Sequence, residues 1–199
     1  MIRKDDIPRF TNNDAWTESV QLAQGYSVRV KVGRDDCAGA PWEMCDGHGP
    51  VSDWRSKESK APGERVLAED HGRARFYDFA AAVKLARKDG WGAEGDAGMK
   101  PGEKAAHAAE KDFEFLRGWC TDQWHYIVVG VEVSRNGAVL DMDYCGGIED
   151  LGDYWREFAA DHANCVIETN IKARRTAAIA ARKETIERRR WEARDVVTA

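Results

Sequence analysis

The chain has 199 residues, of which 43% are hydrophobic and 33% charged, with 30 Lys and Arg against 35 Asp and Glu. This length suits one domain with a sizeable core. No apolar run reaches the roughly 18 residues of a membrane span, and residues 1–6 lead into no hydrophobic signal segment, so we expect neither a membrane protein nor a classically exported one. Five cysteines without a signal peptide favour free thiols in a reducing cytoplasm, and we therefore predict a cytoplasmic protein.

The first clear strand is predicted at Tyr26–Val32, where hydrophobic residues alternate with Ser27, Arg29 and Lys31. A period of two places one face of a strand in a core and the other in water. We therefore expect this strand to be half buried.

A long irregular loop is predicted over residues 35–63, because periodicity disappears and glycine and proline recur. Loops of that length in compact domains are usually functional. Trp42 and Trp54 lie in the loop among charged residues, and exposed aromatic side chains are enriched in binding hot spots. We predict that both contact a partner, with packing of the loop onto the sheet as the alternative.

Two helices are predicted after a short strand at 64–69. Asp78 is suited to cap the first helix, which would continue through Lys88 and stop at Gly90. After a glycine-rich linker, the second begins near Pro101 and extends to about Arg117. Its predicted apolar stripe is Ala105, Ala109, Phe113 and Leu116.

The Asn136-Gly137 pair predicts a hairpin, because both residues tolerate the positive φ angles of a type I′ turn. Pairing Arg135 with Ala138 puts six apolar residues on one face, where we expect them to be buried. They are Val129, Val131, Val133, Leu140, Met142 and Tyr144. The other face would oppose Glu132 to Asp141, so we expect Arg29 and Lys31 of the first strand to lie nearby.

Residues 153–194 lack proline and glycine, which predicts one long helix or two joined by a bend near Asn164 or Asn170. The first half offers large packing residues: Trp155, Phe158, Val166, Ile167 and Ile171. Beyond Ile171 the large apolar residues are few. We expect contacts outside the domain to stabilise this second half more than its own core does.

Residues 172–194 contain nine basic residues against three acidic ones, a local charge of +6 that leaves −11 on the rest of the chain. A basic segment on an acidic body favours binding to nucleic acid, to an acidic partner or to a second copy of the chain. The predicted partner-binding residues are Arg174, Arg175, Arg182, Lys183, Arg188, Arg189 and Arg190. A solvated helix is the alternative.

The order of elements predicts an α+β fold, an antiparallel sheet with helices packed on one face and a long C-terminal helix. We place residues 1–171 in a single α+β domain. Residues 172–199 would form a basic, Ala- and Arg-rich helical extension.

No motif predicts a catalytic residue, a cofactor or a bound metal. Residues 90–95 match G-x-G-x-x-G, but they follow a predicted helix, whereas a dinucleotide site follows a strand. Cys45 and His48 form one zinc-type pair without a convincing second pair. Glu132, Asp141 and Asp143 are an acidic triplet that would suit Mg²⁺, with an ordinary polar sheet face as the alternative.

Three segments resemble small accessory proteins of tailed bacteriophages and prophages, a family with no established activity. They are Asp46–Trp54, Ala81–Gly92, and Gly118–Cys120 together with Trp124–Tyr126. The resemblance covers roughly residues 26 to 150, and the tail after Ile171 lies outside it. It implies a protein made in the bacterial host cytoplasm, where such phage proteins often inhibit host machinery, including CRISPR complexes.

We therefore predict a non-enzymatic phage accessory protein that binds and modulates a host bacterial complex, with anti-defence activity of the anti-CRISPR kind as one form. The alternatives are a nucleic-acid-binding protein that uses residues 172–194, and a metal-dependent nuclease that uses the acidic triplet. A homo-oligomer is also compatible with the basic segment.

Overall fold

The structure is a computed structural model that describes residues 1–9, 15–44, 47–92 and 98–195, with side chains up to residue 191. It confirms an α+β fold with antiparallel sheets and a long C-terminal helix. Its contacts divide the chain into two compact units, one formed by Met1–Arg34 with Ile127–Ala199 and the other by Asp35–Tyr126. The sequence interpretation placed residues 1–171 in one domain, whereas by contacts they belong to these two units.

Seven strands and four α-helices follow one another in the described residues. They are β1 (Val20–Gln21), β2 (Tyr26–Arg34), α1 (Pro41–Met44), β3 (Arg55–Ser56), β4 (Glu64–Asp70), β5 (Arg73–Asp78), α2 (Phe79–Asp89), α3 (Pro101–Cys120), β6 (Tyr126–Arg135), β7 (Ala138–Glu149) and α4 (Tyr154–Asp195).

The first unit contains a four-stranded antiparallel sheet in the order β1-β2-β6-β7. The alternation predicted for β2 is confirmed, because its valines are buried and its polar residues are only partly buried. Register pairs between β2 and β6 bring six buried valines to one face. These pairs are Val28 with Val133, Val30 with Val131, and Val32 with Val129. They form one core with the α4 residues Trp155, Ala159, Ala163 and Ile167.

The predicted hairpin turn is present, with φ angles of 50° at Asn136 and 82° at Gly137. The predicted side-chain register is wrong. The ring of Tyr144 lies over Gly130, where a Cβ atom would be only 2.6 Å from it. Successive residues of a strand alternate between its two faces, so Gly130 and the valines Val129 and Val131 lie on different faces of β6.

The three apolar β7 residues that were expected in the core are exposed instead, by 36% at Leu140, 52% at Met142 and 51% at Tyr144. Leu140 and Asp141 both line a groove beside α4, and Asp141 Oδ2 lies 3.2 Å from His162 Nε2 of that helix. Met142 and Tyr144 therefore lie on the face of β7 that turns away from α4.

Helix α4 is continuous, so the alternative of a bend near Asn164 or Asn170 is wrong. Both asparagines form tertiary hydrogen bonds. Asn164 Oδ1 accepts the Ile2 N–H at 2.9 Å and its Nδ2 donates to the Ile2 carbonyl at 2.8 Å. The Tyr26 hydroxyl donates to Asn170 Oδ1 at 2.8 Å.

The N-terminal residues also belong to this core, which the sequence analysis missed. Ile2 and Ile7 are buried, although no periodicity marks them. The buried Arg156 guanidinium of α4 donates from Nε and Nη2 to the Ile7 carbonyl, at 3.0 and 2.7 Å. A buried charge of this kind is stabilised by such hydrogen bonds.

The second unit contains a three-stranded antiparallel sheet in the order β3-β5-β4, against which α2 and α3 pack. The predicted helix signals are confirmed. Asp78 accepts the Ala81 N–H at 2.9 Å, and Gly90 ends α2 with a φ of 72°. Helix α3 begins at Pro101, and all four residues of its predicted apolar stripe are buried.

We expect Val131→Asp to lower the free energy of unfolding by about 3 kcal/mol, because it buries an unpaired charge in the valine face. Met142→Asp introduces the same carboxylate at an exposed position of β7 and should lower the free energy of unfolding by less than about 1 kcal/mol. Urea unfolding followed by circular dichroism measures both. Equal losses would mean that Met142 is buried and that our description of β7 is incorrect.

Candidate functional site

A cleft of about 700 Å³ lies in the second unit and brings together the two tryptophans that were predicted to contact a partner. Trp42 comes from α1, and Trp54 immediately precedes β3. Their neighbours in the cleft include Arg75 of β5 and three residues at the end of α3: Arg117, Trp119 and Cys120. We call this site the Trp–Arg cleft.

The Arg75 guanidinium lies near two indole rings. Its Cζ atom is 5.3 Å from the ring centroid of Trp42 and 5.5 Å from that of Trp54. Trp42 in turn meets Trp119 edge to face, with centroids 5.4 Å apart and planes at 83°. The alternation of β5 produces this arrangement, because Ala74 and Phe76 are buried on one face and Arg75 projects to the other.

The arginine and glutamate side chains that line the cleft have different interaction partners. Neither Arg75 nor Arg117 forms an ion pair with a carboxylate of the described residues. The carboxylate of Glu69 has Lys57 Nζ at 2.6 Å, and Glu43 Oε2 accepts the Ala40 N–H at 3.4 Å. The guanidinium groups are therefore available to an external anion.

Cys120 is the one thiol among the described residues that line the cleft. Burial raises its pKa to about 11, although the positive charge of Arg75 acts in the opposite direction. The group is thus a thiol at neutral pH, whereas a cysteine nucleophile must be a thiolate. This favours binding over covalent catalysis in the cleft.

A buried hydrogen-bond network holds the loop around His48 to α3. Asp112 Oδ1 lies 2.6 Å from His48 Nδ1, and Asp112 Oδ2 accepts the Tyr77 hydroxyl at 2.6 Å and the Gly49 N–H at 2.8 Å. Burial, helped by Asp112, raises the pKa of Tyr77 far above its usual value. A Cβ atom at Gly49 would lie 2.5 Å from the Tyr77 ring, so the loop fits closely here.

The candidate metal ligands are not brought together. His48 Nδ1 is engaged with Asp112, and Cys45 lies outside the described residues. No group of three or more potential ligands occurs in the part of the chain that the structure describes. Gly90 follows a helix, as predicted, and residues 93–95, the second half of the G-x-G-x-x-G match, lie outside the described residues.

The acidic triplet is divided between the two faces of the first sheet. Glu132 accepts two hydrogen bonds from Arg29, at 3.0 and 2.7 Å, which confirms the expected basic neighbour. The hydrogen bond from Arg29 lowers the pKa of Glu132. Asp141 faces α4 and His162 instead. The arrangement required by the nuclease alternative is therefore not formed.

The second predicted site is the basic segment of α4, whose described residues from 172 to 191 are exposed apart from a half-buried Thr185. At about 100° per residue, six of its eight basic residues fall within a sector of about 120°. They are Lys172, Arg175, Arg182, Lys183, Arg189 and Arg190. Ile179 and Ile186 lie in the same sector, whereas Arg174, Arg188, Glu184 and Glu187 lie outside it. We call this sector the basic face.

Comparison of the chain with protein-family models, curated proteins and solved structures finds no match. No helix in the described residues is both long enough and apolar enough to cross a membrane.

We expect the stabilising contribution of Glu132 to depend on pH. Because its folded-state pKa is lowered, the contribution is complete above the ordinary glutamate pKa of about 4.3 and is lost as the pH falls through the folded-state pKa. Glu132→Gln should therefore lower the urea midpoint at pH 7 and have a smaller effect at pH 3. If the difference in urea midpoint between the wild type and Glu132→Gln does not change with pH, the carboxylate charge is not what stabilises this pair.

Proposed function

We propose that this protein is a non-enzymatic accessory protein of the tailed-phage type, which binds and modulates a complex of its bacterial host in the host cytoplasm. The observation that carries the proposal is the Trp–Arg cleft, where the indole rings of Trp42 and Trp54 both lie near the Arg75 guanidinium. Tryptophan and arginine are the residues most enriched among binding hot spots.

The chemistry of the cleft supports binding rather than turnover. Its aromatic and cationic groups are suited to holding a partner, and its thiol is protonated at neutral pH. The phage and host setting follows from the sequence resemblance. Within that setting, inhibition of a defence complex of the CRISPR kind is the form of modulation that we propose.

Affinity purification of the tagged chain from an expressing bacterial host tests this proposal. We expect one host complex to be enriched by the wild type and lost with Trp54→Ala or Arg75→Gln, since removal of a hot-spot side chain typically costs about 2 kcal/mol or more. Trp191→Ala is the matched control, because it removes an exposed indole from α4. Circular dichroism verifies folding. If both cleft variants still capture the host complex, the cleft is excluded as the contact surface.

A second function, nucleic-acid binding, is favoured by the basic face. Arg175, Arg182 and Arg189 recur every seven residues, about 10.5 Å apart along the helix. Cations in such a row neutralise phosphates and release counterions. Two copies that paired through this face would bring like charges together, so an acidic or phosphate-bearing partner is favoured over self-association.

Replacing Arg182 and Arg189 together by Gln should weaken binding to duplex DNA or to RNA and reduce the slope of log K against log salt by about 2. The control Arg174→Gln with Arg188→Gln removes the same charge outside the basic face and should have the smaller effect. Fluorescence anisotropy between 50 and 200 mM salt measures both. Failure of the wild type to bind at the lowest salt would eliminate this function.

A further inference from the structure

We propose that the Trp–Arg cleft receives a nucleotide unit, with the base against the indole rings and the phosphate on Arg75 and Arg117. This inference rests on the proposed function in that it takes the cleft as the contact surface. It adds the chemical group that the cleft recognises.

The aromatic side chains of the cleft suit a flat ring. Trp42, Trp54 and Trp119 are each half-buried, so part of every indole remains accessible. Trp42 and Trp119 meet at 83°, which forms an aromatic corner rather than a closed stack. Proteins that bind single-stranded nucleic acid combine aromatic platforms of this type with a cationic groove.

The guanidinium groups suit a phosphate. The Arg75 guanidinium already interacts with two indole rings, so little additional freedom is lost when an anion binds to it. Its Nη1 donates only a long hydrogen bond, 3.4 Å, to the Ser52 carbonyl. Arg117 lies exposed on the wall of the same cleft. Paired N–H donors match phosphate oxygens in a bidentate manner.

The size of the cleft and the partners of its carboxylates agree with this ligand. About 700 Å³ lies within the usual range of small-ligand sites. The carboxylate of Glu69 pairs with Lys57, and that of Glu43 accepts the Ala40 N–H, so among the described residues neither forms an ion pair with Arg75 or Arg117.

An acidic protein segment matches the cleft less well. A carboxylate would use the two guanidinium groups but would leave three indole surfaces in contact with water. A nucleotide uses both kinds of group at once. We therefore favour the nucleotide and treat the acidic segment as an outcome of the test.

Calorimetric titration of the full-length protein with adenosine 5′-monophosphate, adenosine, and inorganic phosphate tests the inference. We expect the monophosphate to bind at least tenfold more tightly than either fragment. Arg75→Gln should weaken monophosphate binding at least tenfold and leave adenosine binding unchanged, whereas Trp54→Ala should weaken both. Arg87→Gln, at an exposed arginine of α2 outside the cleft, is the control that should change neither.

A six-nucleotide single strand with a 5′-phosphate distinguishes a free nucleotide from a nucleic-acid end. It is titrated into the Arg182→Gln, Arg189→Gln protein, so that the basic face contributes little. Tighter binding of the strand than of the monophosphate would assign the cleft to nucleic acid, and equal binding would assign it to a nucleotide. Either result supports the inference.

Two results would overturn it: no binding of monophosphate or strand at millimolar concentration, or binding that neither cleft variant weakens. Binding of a hexaglutamate peptide in place of the monophosphate would also overturn it. If a host complex is still captured through the cleft in any of these cases, the proposed function stands while the nucleotide inference fails.

Discussion

The valine face shared by β2 and β6 is the feature on which the first unit depends. Antiparallel pairing places Val30 beside Val131, and the other two valine pairs continue the same surface. Helix α4 covers this surface as far as about Ile171, and the N-terminal residues complete the core. Beyond that point the helix has no sheet beneath it, and from Lys172 onward its described residues are exposed apart from half-buried Thr185. The basic face is thus a consequence of where the apolar surface ends.

The second unit depends in a comparable way on the alternation of β5. Ala74 and Phe76 are buried on one side of the strand, and the other side contributes Arg75 and Tyr77. Tyr77 is buried and fixed by Asp112 of α3, whereas Arg75 has the indole rings of Trp42 and Trp54 near its guanidinium. The network around Asp112 holds the loop after residue 46 against the helix. A well-packed interior therefore supports a surface with unpaired positive charge and accessible aromatic rings.

Both candidate surfaces are suited to anionic ligands, although the net charge of the chain is −5. Net charge alone would favour a basic partner. Local arrangement matters more, because charges interact strongly only over about a Debye length of 8 to 10 Å at physiological salt. The basic face of α4 gathers six positive charges in one sector, and in the cleft Arg75 and Arg117 form no ion pair with Glu43 or Glu69.

The sequence by itself determined the features that depend on neighbouring residues. The alternation of β2, the cap at Asp78, the turn at Asn136 and the weakly packed end of α4 were all predicted correctly, because each follows from a local period or a local φ preference. Trp42 and Trp54 were selected from the sequence, since aromatic residues among charges are informative on their own. Whether they contact a partner stays a prediction.

Only the tertiary structure decided the features that depend on residues distant in the chain. Met142 and Tyr144 of β7 are exposed, with the Tyr144 ring over Gly130, and no local signal marked this. A bend near Asn164 was one of the two alternatives left open by the sequence, because the hydrogen-bond partner of Asn164, Ile2, is 162 positions away. Arg75 was not selected at all, because an arginine in a strand resembles any solvent-facing residue until the fold brings two indole rings near it. Local sequence specifies the conformation of a segment, whereas the contacts that create a site are made between segments.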